Sequence, residues 1–486
     1  MNAPGKKSVA FIEPTNSGDT NVFEDYMRLP LMGSLYLGTI LHNAGYPVRI
    51  YNETILRHHI DPFTVQADVY CITSLTVSAN RAKLLAAQLR DLHPDAMIIV
   101  GGIHASLRPE DFAEIADHVV WGEAEEIIID LVEGKFDEQQ VQGCRGDDID
   151  SLPKVNYGLL EGVEDVPIIP VMTSRGCPFN CNFCTVTQIF GRRFRMQSPA
   201  RVIDEIEHAL SFFRTREIFF YDDNFTANRK RVHELCDLIL ERGLDITWTA
   251  QTRSDIARDP ELIRKMARAG CHCFYIGFES IDDKTLEAMH KSQTREDIEE
   301  SIRIIHEQNV NVHGMFIFGS DTDSVDSIQA TVDFAIEQDI DTVQFMILTP
   351  FPGTGIYEEI RAEDRLLHHE WDYYNGMYAV FKPRCMSAER LQLETLKAYS
   401  RFYSLRRVAL DTLQMTTSIL LDALVWDFSR VFRYEYKTLL LVGGARFLVD
   451  KYSHTLPPYL DYLNKLTQER AQAKAAGAPA ASLTES

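Results

Sequence analysis

Short apolar runs alternate with longer stretches whose apolar residues recur every three or four positions, and this rhythm fills most of the chain. SVAFIEP (8–14), YPVRIYN (46–52), ADVYCITS (67–74), AMIIVGG (96–102) and DHVVWG (117–122) predict strands. Between them MGSLYLGTILHNAG and SANRAKLLAAQLRDLHP predict helices ending at Gly45 and near Pro94. Such alternation implies an α/β domain with a parallel, doubly wound sheet over residues 1–135. A polar, acidic connector over 136–165 marks a boundary. The rhythm then resumes over 166–360. PIIPVMTS, REIFFYDDNF, DITWTAQTR, CHCFYIGFES, NVHGMFIFGS and TVQFMILTP predict six strands, the first five each followed by an amphipathic helix. Six β/α units suggest a partial (β/α)6 barrel with its site at the strand C-terminal ends. Asp222, Asp223, Arg253, Glu279 and Ser280 all fall at those ends, although strand ends are polar in any case because loops are solvated. Residues 361–468 predict a helical region, and the low-complexity stretch 469–486 a disordered tail.

Composition narrows the function. A chain of 486 residues exceeds one ordinary core. No uncharged apolar run is long enough to span a membrane, and the start lacks a signal-peptide core, so a reducing cytoplasm is expected. There, clustered cysteines bind metal more often than they form disulfides. The net charge of −22 argues against nucleic acid as a partner, whose backbone needs a basic face.

One stretch carries candidate chemistry. RGCPFNCNFC, residues 175–184, gathers three of the nine cysteines, Cys177, Cys181 and Cys184, at C-x3-C-x2-C spacing. Three thiolates can hold three irons of a [4Fe–4S] cluster and leave the fourth open, whereas ferredoxin-type clusters use four. Zinc is the competing structural reading, but it prefers four protein ligands, and neither Cys271 and Cys273 nor the histidines supply a convincing second pair.

The loop resembles the signature of the radical S-adenosylmethionine (SAM) superfamily, with Phe183 at its aromatic position. The resemblance implies that SAM chelates the open iron and is cleaved by one electron to a 5′-deoxyadenosyl radical, which takes hydrogen from an inert carbon. It also implies SAM contacts from Phe183, Asp222 and Asp223 in YDDNFT, Arg253 in AQTRSD, and Glu279 and Ser280 in GFES. The N-terminal stretches SLTVSAN, IVGGIHAS and VVWGEAEE resemble the Rossmann-like cobalamin-binding domain that precedes the barrel in one large radical SAM class. That likeness points to Ser74, Ser78, Gly101, Gly102, His104, Gly122 and Glu123 as cobalamin-binding, with small residues leaving room for the nucleotide tail. A bare Rossmann-like domain whose glycines only make turns is the alternative. The D-x-H-x-x-G motif that supplies a lower cobalt ligand in many cobalamin proteins is missing. DLHPDA is misplaced and lacks the glycine, and a loop hydrogen-bonding role suits His104 better than ligation. Cobalamin is therefore expected base-off.

The two resemblances together imply a radical SAM, cobalamin-dependent C-methyltransferase acting on an unactivated carbon. Its cofactors would be a [4Fe–4S] cluster, SAM and cobalamin, and its electron donor a flavodoxin or ferredoxin. An oxidative cyclase or hydroxylase of the anaerobic magnesium-protoporphyrin ester cyclase type shares the domain order. A cobalamin sensor lacks a visible effector domain, and tRNA methylthiolation is disfavoured by the acidity. Residues 401–451 carry eight Lys/Arg against five Asp/Glu amid apolar residues such as Leu413, Ile419, Leu424, Trp426 and Phe432. A basic, apolar helix of this kind can lie on an anionic membrane, though a cap packed on the barrel also fits. Together with the domain order this suggests a small apolar or lipid substrate, and within the class the chain most resembles the hopanoid C-3 methylases.

Overall fold

The computed structural model describes residues 5–18, 28–410, 413, 416 and 429–475. Two parallel sheets of six strands organise it. The first contains β1 (Val9–Glu13), β2 (Val48–Asn52), β3 (Val69–Thr73), β4 (Met97–Gly101), β5 (His118–Trp121) and β6 (Gln140–Gln142), in the order β2-β1-β3-β4-β5-β6. Val9 pairs with Val48 on one side and Val69 on the other. All five residues of β1 are buried, as a strand covered on both faces requires. The strand order reverses at β1, so the C-terminal ends of β1 and β3 diverge and open a crevice, where doubly wound folds bind ligands. β6 corrects the expected boundary, since it lies in the stretch read as linker and adds to the sheet through Val119 and Gln140. Its sequence, QVQ, has one apolar residue between two glutamines and so no apolar run to read.

The second sheet is built from β7 (Ile169–Val171), β8 (Glu217–Phe220), β9 (Thr247–Thr252), β10 (Cys271–Glu279), β11 (Asn311–Phe318) and β12 (Thr342–Ile347). Its strands lie in chain order with no reversal, giving the expected partial barrel, open between β7 and β12. An open edge exposes backbone donors and acceptors that must be satisfied. The helix Ala388–Phe402 and the residue after it supply partners for β12. Tyr403 Oη accepts from Val343 N at 2.8 Å and donates to Val343 O at 2.7 Å, and Tyr399 Oη accepts from Phe345 N at 2.9 Å.

One apolar cluster runs through both domains, joining Phe11, Ile50 and the helical Tyr36 of the first to Phe220 and the helical Val202 and Ile206 of the second, while the other face of the first sheet packs its own cluster around Ile12, Tyr70 and Ile98. The long helix Ser429–Ala475 closes the C-terminal region and continues through the first residues of the stretch expected to be disordered. Much of the 401–451 segment, including Ile419, Leu424 and Trp426, lies outside the described residues, and of Phe432 only its place in the helix is described. Among the described residues no helix is long and apolar enough to cross a membrane.

Candidate active site

The cysteine loop is pinched at its base. Ser174–Arg175 pairs antiparallel with Arg195–Met196, so the chain leaves and re-enters the fold at one point. Gly176 sits in that pinch at φ +84°, where a Cβ would stand 2.6 Å from Arg193 O and 2.9 Å from Gly191 O. Only glycine takes that conformation without strain and leaves those carbonyls in place. Gly176→Ala is expected to cost about 1–3 kcal/mol and to lower iron incorporation. A urea midpoint and iron content equal to wild type would contradict this.

Beyond the pinch, Asn182 ties the loop to the barrel through Nδ2 to Ala288 O (3.0 Å) and by accepting Ile356 N (3.2 Å). Cys177, Cys181 and Cys184 are half-buried free thiols. Burial pushes the Cys177 and Cys184 thiols up, Cys184 to about 12, and the charges of Asp223 and the neighbouring cysteines add to the effect.

Asp222 and Asp223 follow β8 as adjacent residues with different surroundings. Asp223 stands on a cavity wall, and burial, then the charge of Asp222, raises its carboxyl to about 6. Asp222 is fully buried and accepts from Thr173 N (2.6 Å), Thr173 Oγ1 (2.6 Å), Ser174 N (3.1 Å) and Ser174 Oγ (2.6 Å). This corrects the expectation of a SAM contact, because its oxygens are committed to anchoring the segment that leads into the cysteine loop.

Arg253 is 7% exposed, its guanidinium 3.8 Å from the centre of the Phe179 ring inside the loop, and its Nε has no hydrogen-bond partner. A buried donor left in this way costs free energy unless a ligand takes it. Glu279 ends β10 at φ +64° and pairs with buried Lys291 at 2.6 Å. Ser280 Oγ accepts from Asp282 N at 3.1 Å. Phe183 packs partly buried against the core.

A cavity of about 580 Å³ joins the two sheets. Glu13, Thr15, Asn52, Leu75, Val77 and Ser78 line it from the crevice of the first sheet. Phe219, Tyr221, Tyr275, His313 and Met315 line it from the barrel interior, where the two-residue strand period puts 219 with 221 and 313 with 315 on one face. Tyr399, Tyr403, Val449 and Tyr452 close its side. A second cavity, of about 660 Å³, lies between Trp121, Gly122, Gln142 and Gly143 of the first domain and Gln188 and Ile189 just past the cysteine loop.

The comparisons agree with this layout. Residues 171–335 match the radical SAM superfamily and 20–132 the B12 binding domain. An uncharacterised methyltransferase of Pyrococcus horikoshii is 32% identical over 361 residues, 69% of this chain and 78% of that protein. The chain belongs to the cobalamin-binding radical SAM methyltransferases. A bacteriochlorophyllide d C-12(1)-methyltransferase of Chlorobaculum tepidum is 30% identical, covering 69% of this chain and 75% of that protein. The hopanoid C-2 methylase of Rhodopseudomonas palustris is 25% identical, covering 70% and 66%. The structure of TsrM from Kitasatospora setae, with cobalamin and a [4Fe–4S] cluster bound, shares the fold at a TM-score of 0.59 and 17% identity, covering 74% of this chain and 78% of that one.

As a member of that class the methyltransferase works with a [4Fe–4S] cluster, SAM and cobalamin, and its own residues fit them. Among the described residues no three His, Cys, Asp or Glu side chains are grouped to hold a single metal ion. Cys177, Cys181 and Cys184 are free, half-buried thiols of one loop, a donor set suited to a cluster that takes one thiolate on each of three irons. Arg253 offers an unpartnered donor beside the loop, and Glu13, 2% exposed, points an unpartnered Oε1 from the crevice wall.

Several residues expected at cobalamin have other partners in the methyltransferase. The space on the Cβ side of Gly102 (φ +98°) is filled by the chain itself, with Ser74 O 2.7 Å from where a Cβ would stand, so the glycine is what lets the β3 and β4 loops pack this closely. Ser74 is fully buried and takes part in that packing, its N donating to Gly101 O at 2.8 Å. A Cβ at Gly101 would meet Val120 O at 3.8 Å, an ordinary contact. His104 is buried between Asp111 (3.1 Å) and Thr76 (3.4 Å), with Trp371 edge-on, which agrees with its loop role and leaves neither nitrogen for a metal. Glu123 pairs with Arg175 (2.6 Å) and Arg195 across the domain boundary. Ser78 and Gly122 do line the two cavities.

Sequence reasoning missed Glu13, Arg175, Arg195 and His313. A charged residue closing an apolar run, as Glu13 does in VAFIE, was a usable signal.

Proposed function

We propose that this methyltransferase transfers a methyl group to an unactivated carbon of an apolar substrate held in the 580 Å³ cavity, a hopanoid lipid at C-3 being the specific candidate. The observation that carries the reading is that one cavity, mostly aromatic and aliphatic, joins the crevice of the B12-binding sheet to the barrel interior beside Asp223. When bound, the cluster supplies the electron that splits SAM, and cobalamin carries a methyl group. The chain's residues bind and position. Arg253 receives the SAM carboxylate and Asp223 its ammonium group. The residues lining the crevice, Glu13 and Ser78 among them, face cobalamin, and the tyrosine and phenylalanine walls keep water from the reacting carbon. A flavodoxin or ferredoxin is the expected reductant.

Delivery from an anionic membrane is supported by Leu405, Leu410, Leu413 and Phe447, all exposed and set within or beside the locally basic 401–451 segment. The long helix that presents Phe447 also lines the cavity through Val449 and Tyr452. Expression in a hopanoid-producing host that makes no methylated hopanoids should yield C-3 methylated lipids by mass spectrometry. An unchanged hopanoid profile would sink the lipid assignment.

A further inference from the structure

The barrel half of the cavity has a chemical polarity that bears on its ligand. Its floor is a continuous aromatic surface, with the Tyr275 ring 4.5 Å from His313, Phe219 5.8 Å from Tyr275 and Tyr221 5.9 Å from Phe219. Into it project a few uncharged polar groups, Gln251, Tyr275, His313, Thr342 and Gln344. His313 Nδ1 meets Thr342 Oγ1 at 2.8 Å, and burial lowers the imidazole to about 4, so it is neutral at physiological pH. The ionisable carboxyls on the cavity wall are Glu13 and Asp223, and among its described lining residues there is no Lys or Arg.

We infer that the substrate is a neutral, largely apolar molecule with a hydrogen-bonding pole, such as a hydroxyl, seated against His313, Tyr275 and Gln344, and that carboxylates are excluded. A carboxylate would lose its hydration with no Lys or Arg on the described lining to meet it, while the acids there, Glu13 and Asp223, offer no compensating charge. A hydroxyl loses less and finds donors and acceptors ready. His313 and Gln344 thereby become specificity-determining residues, and tetrapyrrole carboxylates become poor ligands. The inference deepens the reading above and rests on it for placing substrate in this cavity.

Two triterpenoid probes sharing one ring system isolate the pole, the alcohol betulin and its carboxylic acid, betulinic acid. Equilibrium dialysis against the holoenzyme at about pH 8, where the acid is ionised, should show the alcohol binding at least about tenfold tighter. His313→Leu should weaken alcohol binding roughly three- to tenfold, the loss of one hydrogen bond, with cobalamin absorption and iron content unchanged. Gln344→Lys should reverse the preference toward the acid. Equal or tighter binding of the acid by the wild type, or no binding of either probe, would overturn the inference. Failure of the methyl-transfer reading shows separately, in the mass of the product.

Discussion

Alanine at Cys177, Cys181 or Cys184 will each reduce 5′-deoxyadenosine formation from SAM to background. The three thiols share one loop, pinched at Gly176 and tied down through Asn182, and each answers for one iron, so no neighbour can substitute. A cluster missing one of three ligands is not held, and without it no electron reaches SAM. Cys236→Ala is the matched control. That thiol is fully buried in the helix Arg229–Glu241 away from the loop, and losing it costs about 1 kcal/mol of packing without touching cleavage. Product is read by liquid chromatography after anaerobic incubation with dithionite. Retained cleavage in any one of the three loop variants would remove that cysteine from the ligand set.

Glu123→Gln will lower the stability of the fold by roughly 3 kcal/mol. Its carboxylate joins the first sheet to the cysteine loop by holding Arg175 and Arg195, all three nearly inaccessible to solvent. Removing the charge strands two buried guanidiniums. Breaking a buried pair costs roughly 3–5 kcal/mol, and the lower end is expected because Arg175 keeps Glu125 (2.5 Å) and Arg195 keeps Gly146 O (2.7 Å). The urea midpoint should fall, and iron content should fall with it, since Arg175 lies two residues before Cys177. The same group sets a pH dependence. Burial opposes its charge, but Arg195 and Arg175 outweigh it and hold the carboxyl below its usual range. The stabilisation is then complete above the unfolded carboxylate value and lost as pH falls through the lower folded one. The wild type should lose stability faster than the variant below about pH 4.3. A variant as stable as wild type, with parallel acid profiles, would show that the network contributes nothing.

The parts of the site legible in the sequence are those whose chemistry is local. C-x3-C-x2-C places three thiols in one loop whatever surrounds it, and every strand of the two sheets except β6 shows as a short apolar run between helical stretches. What escaped depends on partners distant in sequence. Asp222 and Asp223 look interchangeable, yet one anchors Thr173 and Ser174, some fifty residues earlier, and the other stands on the cavity. Consecutive residues at a strand end point opposite ways, and no local pattern says which faces the ligand. Glu123 reads as a cofactor contact until Arg175 and Arg195 are placed beside it. Gly102 does need to be glycine, but the group approaching it is the backbone of Ser74.

The central claim is that one chain couples SAM cleavage at the cysteine loop to methyl transfer in the cavity. The direct measurement is an anaerobic incubation of the holoenzyme with SAM carrying a trideuterated methyl group, a reductant and a hopanoid extract, with every SAM-derived product counted. The account predicts a lipid in which one trideuteromethyl has replaced one hydrogen, formed with equal amounts of 5′-deoxyadenosine and S-adenosylhomocysteine. An oxygenated product without deuterium, or S-adenosylhomocysteine and labelled lipid formed with no 5′-deoxyadenosine, would contradict it.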